Sequence, residues 1–203
     1  MAILPIVKTP NPVLRQAVKP IGEIDKKIIK LIFDMADTLN AQVDPQGVGL
    51  AAPQVGFLLS LFLTKPTPRS NIGAFINPLE IPNDKHTNPD NTSGDKEKLT
   101  KKRGLLEGCL SLPNYYSDVS RRPTITIRYT TFDLNKARGG NGYDHLQTKE
   151  LTQTFNGFPA QIIQHEMDHL KGRLFIDLVL EQKSNLLKLT GDKWEQIELG
   201  KTS

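Results

Sequence analysis

The stretch "QIIQHEMDHLKG", Gln161 to Gly172, sets two histidines four residues apart with a glutamate directly after the first. On an α-helix, residues four apart lie on one face, one above the other. His165 and His169 can therefore address one metal ion. Glu166 lies one position around the helix, within reach of a water on that metal. His-Glu-x-x-His is a zinc-hydrolase signature with this mechanical basis, but a polar helix face can also carry two histidines. Helix signals frame the stretch: Asn156 is placed to cap it, Pro159 falls in the first turn and Gly172 stops it. The spacing predicts a helix over roughly 157–171, with Phe158, Ile162, His165 and His169 on one stripe. Two ligands leave a catalytic site incomplete, since such sites ordinarily use three protein ligands and keep one position open.

The rest of the chain bounds where a third ligand can come from. With 203 residues, 37% of them hydrophobic and 24% charged, one domain with a sizeable core is expected. No apolar run reaches the length of a membrane span. The opening "MAILPIVKTPNPVLRQ" has too short an apolar part and too much proline for a secretory signal. The single cysteine, Cys109, has no partner for an internal disulfide, which fits a reducing, cytoplasmic compartment. A net charge of +4 permits attraction to an anionic partner such as RNA without pointing to sequence-specific binding.

Periodicity supplies the frame. "PNPVLRQ" reads as a turn. From Glu23 to Asn40, Ile24, Ile28, Leu31, Ile32, Met35 and Leu39 recur at helical spacing, predicting an amphipathic N-terminal helix. "FLLSLFLT" (Phe57 to Thr64) reads as a buried strand, and "IGAFINP" as a strand ended by its proline. "TITIRYT" (Thr124 to Thr130) alternates like a half-buried antiparallel strand. "KELTQTF" and "RLFIDLV" are further strand candidates. Two polar stretches read as surface connections: 83–103, with six basic and four acidic residues, and the glycine-rich "NKARGGNGYDH" of Asn135 to His145.

The cysteine sits in "LEGCLSLP", Leu106 to Pro113. A lone buried cysteine is ordinarily a small hydrophobe, but a thiolate is also a good zinc or iron ligand. "GVGLAAPQVG", Gly47 to Gly56, reads as too rich in glycine and alanine for ordinary core, its small residues suiting a close backbone approach. It lacks the Lys-Ser/Thr ending of a phosphate loop. Taken together and in this order, "GVGLAAPQ", "EGCLS" and "QHEMDHLKG" resemble the marks of the peptide deformylase family, and the resemblance runs from the first residues to about Leu180.

That resemblance implies an α+β fold, antiparallel β-sheets around a central metal-binding helix. It implies an enzyme that removes the formyl group from N-formylmethionine on newly made polypeptides, with transient ribosome association and no membrane. It assigns Cys109, His165 and His169 as metal ligands and Glu166 as the acid/base. Gln54 and the Leu110 N–H match the groups that hold the formyl oxygen, and Gly49 the close-approach position beside the substrate. The implied metal is ferrous iron, with zinc or nickel able to substitute. The chain departs from the family pattern in the longer 83–103 segment, in Tyr116 where some relatives carry arginine, and in Phe158 where many carry leucine.

The residues around these motifs suggest further roles. Val48, Phe158 and Ile162 are candidates for an apolar methionine pocket. Glu107 is a candidate to orient a metal-bound histidine. Asp168 cannot share the face of His169 and is expected to pair with Arg121 or Arg122, locking the helix to a sheet. A zinc endopeptidase would take a further ligand downstream, where Asp177 and Glu181 are the acidic residues soon after the helix. A structural zinc site would need a fourth ligand, and His86 and His145 lie in polar loops poorly suited to it.

Overall fold

The computed structural model describes residues 2–82, 106–139 and 146–198. The segment 83–103 and the residues His86 and His145 lie outside these. The elements in chain order are α1 (Lys26–Ala41), β1 (Gly49–Ala51), β2 (Leu61–Thr64), β3 (Gly73–Glu80), β4 (Glu107–Cys109), β5 (Leu112–Ser117), β6 (Thr124–Thr131), α2 (Leu134–Gly139), β7 (Lys149–Asn156), α3 (Gly157–Leu170), α4 (Phe175–Gln182), β8 (Leu186–Thr190) and β9 (Lys193–Ile197). The strands form two antiparallel sheets, ordered β1-β2-β3-β6-β7 and β4-β5-β8-β9. The fold is α+β.

Strand alternation explains why the larger sheet lies between two helices. Leu50, Leu61, Leu63, Ala74 and Ile76 turn to one side and join Ile29, Ile32, Met35, Ala36 and Leu39 of α1. Ala51, Phe62, Phe75, Ile125, Ile127 and Tyr129 turn to the other and join Ala160, Ile163, Met167 and Leu170 of α3. Burying a large apolar side chain stabilises by about 1.5–3 kcal/mol. The Asp25 cap on α1, which accepts from the N–H groups of Lys27 and Ile28, is worth about 1 kcal/mol. Packing therefore fixes where α1 lies, and the cap fixes where it starts. The smaller sheet rests on α4 through Phe175, Leu178, Val179 and Leu186, with Cys109 against this cluster.

Four sequence expectations need correction. "RLFIDLV" is not a strand. Asp177 accepts the Leu174 N–H and starts helix α4, whose buried Phe175, Leu178 and Val179 follow helical spacing. Pro78 does not end its strand: β3 continues to Glu80, because Asn77 adopts φ 50 and the register shifts between Ile76 and Leu79. Proline's missing N–H is tolerated at such a bulge. Residues 134–139 form α2 rather than a loose connection, with Asp133 accepting from the Asn135 and Lys136 N–H groups. Lastly, Leu50, Ala51 and Ala52 of the glycine- and alanine-rich segment are fully buried core.

Gly172, at φ +70, does end the α3 segment, and a Cβ there would lie 2.4 Å from the Arg15 carbonyl oxygen. Asn156 stands at the N-cap, but its side chain accepts from Thr124 Oγ1 instead of capping the helix. Among the described residues, no helix is long and apolar enough to cross a membrane.

Candidate metal centre

Three parts of the fold meet behind β1. The α3 helix carries His165 and His169, whose rings stand 4.9 Å apart and nearly perpendicular. The smaller sheet brings Cys109 at the end of β4, where the pairing with β5 shifts register. The turn after β1 brings Gln54. Sγ of Cys109 lies 3.2 Å from Nε2 of His169. The candidate ligand atoms of Cys109, His165 and His169 all lie within 4.8 Å of one another. Nδ1 of His165 is taken by Glu107 at 2.8 Å, which leaves Nε2 for the cluster.

Burial and charge tune this group. Burial raises the Cys109 thiol pKa, but His169 and His165 beside it outweigh that and hold the thiol well below its usual range. Burial opposes charge on His165, yet Cys109 and Glu107 raise its pKa well above the ordinary histidine value. Glu107 is also buried, a raising effect overcome by His165 and by Arg121, so its carboxyl falls to about 2. Glu166 goes the other way. Burial, aided by the Cys109 and Glu107 charges and opposed by both histidines, lifts its carboxyl to about 7.

The supporting contacts are specific. Arg121 donates to both oxygens of Glu107, at 2.6 and 3.0 Å, and to Asp168 at 2.5 Å. One buried guanidinium thus ties β4 to α3, while Arg122 pairs with Glu80. Oε1 of Gln54 accepts from the Ala51 N–H at 2.8 Å, and its Nε2 lies 3.2 Å from Ser111 Oγ and 3.5 Å from Cys109 Sγ. Gly49 faces Glu166 so closely that a Cβ there would lie 2.1 Å from Oε1. The small residue is required by that carboxylate. Asp177 and Glu181 lie outside the cluster: Asp177 pairs with Arg15 and Glu181 with Arg173.

Beside the cluster lies a cavity of about 200 Å³, lined by Val48, Gly49, Gln54, Cys109, Leu110, Phe158, Ile162, His165 and Glu166. It brings together Gly49, Gln54, Cys109, Leu110, His165 and Glu166 with the residues suggested for an apolar pocket. His169 does not line it and is 1% exposed. Reading the sequence missed Pro45, Gln46, Leu106, Asn114 and Tyr115, which also line the cavity. It also missed the buried Ser111 that anchors Gln54. The signal for Ser111 was its place inside "EGCLS", and for Asn114 and Tyr115 their continuity with that motif.

The donor set fits a divalent metal: one thiolate and two imidazoles, with a cavity on the open side. Among the described residues, Oε2 of Glu166 beside this cluster is buried without a hydrogen-bond partner, as at sites completed by non-protein groups. The sequence profile of the polypeptide deformylase family matches residues 3–139 and 140–185. The chain belongs to the peptide deformylase family. The peptide deformylase of Rhizobium meliloti strain 1021 is 35% identical over 191 residues, 92% of this chain and 91% of that one. The structure resembles a peptide deformylase from Legionella pneumophila, with TM-score 0.64, 30% identity and coverage of 87% and 86%. It also resembles one from Synechococcus elongatus in complex with actinonin, with TM-score 0.60, 31% identity and coverage of 87% and 79%. Peptide deformylases are metal-dependent hydrolases acting on N-formylmethionyl peptides, and the Cys109–His165–His169 cluster is a candidate metal site of that kind.

Proposed function

We propose that this protein removes the formyl group from the N-terminal formylmethionine of new polypeptides and releases formate. The observation that carries the reading is the Cys109–His165–His169 cluster with Glu166 beside it, opening into an apolar-walled cavity. Cys109, His165 and His169 would hold the metal, which supplies Lewis acidity that makes water acidic and the formyl carbonyl electrophilic. Glu166 takes the proton from the attacking water and returns it to the departing amine. A carboxyl lifted to about 7 suits both directions near neutral pH. Gln54 Nε2 and the Leu110 N–H donate to the formyl oxygen as charge builds on it. The anchoring of Gln54 by Ala51 and Ser111 supports this role, because a donor fixed in advance costs no reorganisation.

Val48, Phe158 and Ile162 receive the methionine side chain. The strand β1 stands at the end of its sheet, so an extended peptide can pair with it as an added strand. Gly49 keeps that strand clear of Glu166. Glu107 orients His165, and Arg121 and Asp168 hold Glu107 and the helix in place. The working metal is ferrous iron, with zinc or nickel as substitutes. A net charge of +4 supports transient association with the ribosome in the cytoplasm, where such peptides emerge.

The test is purification under nitrogen, metal analysis, and formate release from formyl-Met-Ala-Ser beside acetyl-Met-Ala-Ser. Formate from the first and little hydrolysis of the second is expected. Equal rates on both would sink the reading. An iron-loaded sample should decay in air as the Cys109 thiolate oxidises, and a zinc- or nickel-loaded one should persist.

A further inference from the structure

Tyr116, which lines the cavity, is backed by the β8–β9 hairpin. Across the smaller sheet, Gly108, Tyr116, Leu187 and Gln196 stand in one row. Residues in such a row share a face, and so does Trp194, two positions from Gln196 on β9. Gly108 contributes no side chain to that face. A Cβ on it would lie 2.7 Å from the Tyr116 ring, so the phenol lies down over bare backbone. Trp194 meets the same ring edge-on, with centroids 5.3 Å apart and planes at 68°. Tyr116 is thus held from two sides, and it lines the cavity that holds Cys109 and Glu166.

The rim beyond it is apolar. Trp194 is 50% exposed, and Leu106, which lines the cavity as Tyr116 does, is 41% exposed. A single exposed hydrophobic residue needs no explanation. Here, however, the exposed indole packs on a ring that lines the cavity beside the metal cluster. A peptide with its formyl end at that cluster has the Tyr116 ring within the lining of its site.

We propose that the Tyr116–Trp194 pair selects peptides with an aromatic or large apolar side chain shortly after the methionine, Trp194 acting as the positioning residue that sets the Tyr116 ring. The inference rests on reading the cavity as the formyl-peptide site. Aromatic rings pack edge-on against such a pair, and a residue this far from the formyl carbon sees the same contact before and during the reaction. The selectivity therefore belongs in KM.

The experiment uses the metal-loaded enzyme and four peptides: formyl-Met-Ala-Ala-Ala and its three versions with one alanine replaced by phenylalanine. The wild type should favour at least one phenylalanine peptide by roughly three- to tenfold in kcat/KM, through KM, the size of one aromatic contact. Trp194→Ala should reduce that preference to less than about twofold while leaving kcat and the all-alanine peptide unchanged. Trp194→Phe should restore most of it. A wild type that treats all four peptides alike, or a preference that survives Trp194→Ala, overturns the proposal and leaves the deformylase reading standing. A Trp194→Ala protein that only melts earlier, with its KM pattern intact, overturns it as well. No formate from any peptide overturns both.

Discussion

Oε1 of Glu166 lies where the Cβ of any other residue at position 49 would have to go, 2.1 Å from the ideal Cβ site. The flexible end of the glutamate is what must yield. Gly49→Ala should therefore displace the carboxylate and leave the strand paired. Because small misplacements of a reacting group are costly, activity should fall on the order of 100-fold. Circular dichroism and metal content should match the wild type. Retained activity would mean that the strand moves instead.

Glu166→Gln keeps the size of the side chain and removes the base. Formate release should fall by at least about 100-fold with metal content unchanged. The metal-free protein offers a second readout. A carboxyl that titrates near 4.3 in the unfolded chain and at about 7 in the fold destabilises the fold increasingly as pH rises between those values. The substitution removes that penalty. Metal-free Glu166→Gln should melt above metal-free wild type by a margin that grows from about pH 4 to about pH 7 and then levels. A margin independent of pH would argue against the raised pKa.

Glu107 and Asp168 share Arg121 but differ in what else they touch. Glu107 also binds His165, and Asp168 does not touch either histidine ring in any described hydrogen bond. Glu107→Ala should weaken metal retention by roughly 10- to 100-fold, the usual effect of removing a carboxylate behind a ligand histidine. Asp168→Ala should mainly lower the melting temperature. Chelator competition and thermal melts on both variants separate the two. Unchanged metal affinity in Glu107→Ala would refute its orienting role.

Asp177 offers a pH test away from the metal. Burial raises its pKa, but Arg15, the Leu174 N–H and Arg173 together hold it below the ordinary aspartate value. The stabilisation is present above about pH 4, the unfolded value, and disappears as pH falls through the lower folded one. Wild type should therefore melt above Asp177→Asn by a constant margin at neutral pH, and the margin should narrow below about pH 4. A margin that widens in acid would reverse the assignment.

How much of this was legible without coordinates varies with the kind of signal. His165, Glu166 and His169 declare themselves because helix geometry turns a spacing of four into one face. Cys109 and Gln54 do not. Their places depend on a sheet and a turn far away in sequence, and only the three motifs taken together pointed to them. Glu107, Asp168 and Arg121 were legible as candidates, but sequence alone did not show that one guanidinium serves both carboxylates. "RLFIDLV" misled because a short, nearly continuous apolar run reads equally as a buried strand or a buried helix. What decides it is the Asp177 cap and a core that takes Phe175, Leu178 and Val179. Pro78 misled because a bulge at Asn77 cannot be seen in a hydrophobic pattern. Tyr116 and Trp194 were separate aromatics until the register of β5, β8 and β9 set them side by side.

The two histidines come from the helix on one sheet and the cysteine from the edge of the other. An ion shared by Cys109 and His169 would clip together points 60 residues apart. Clips across long spans remove the most freedom from the unfolded chain. The ion would then act as a reversible cross-link between layers, and a strong chelator would work on this protein as a denaturant as well as an inhibitor.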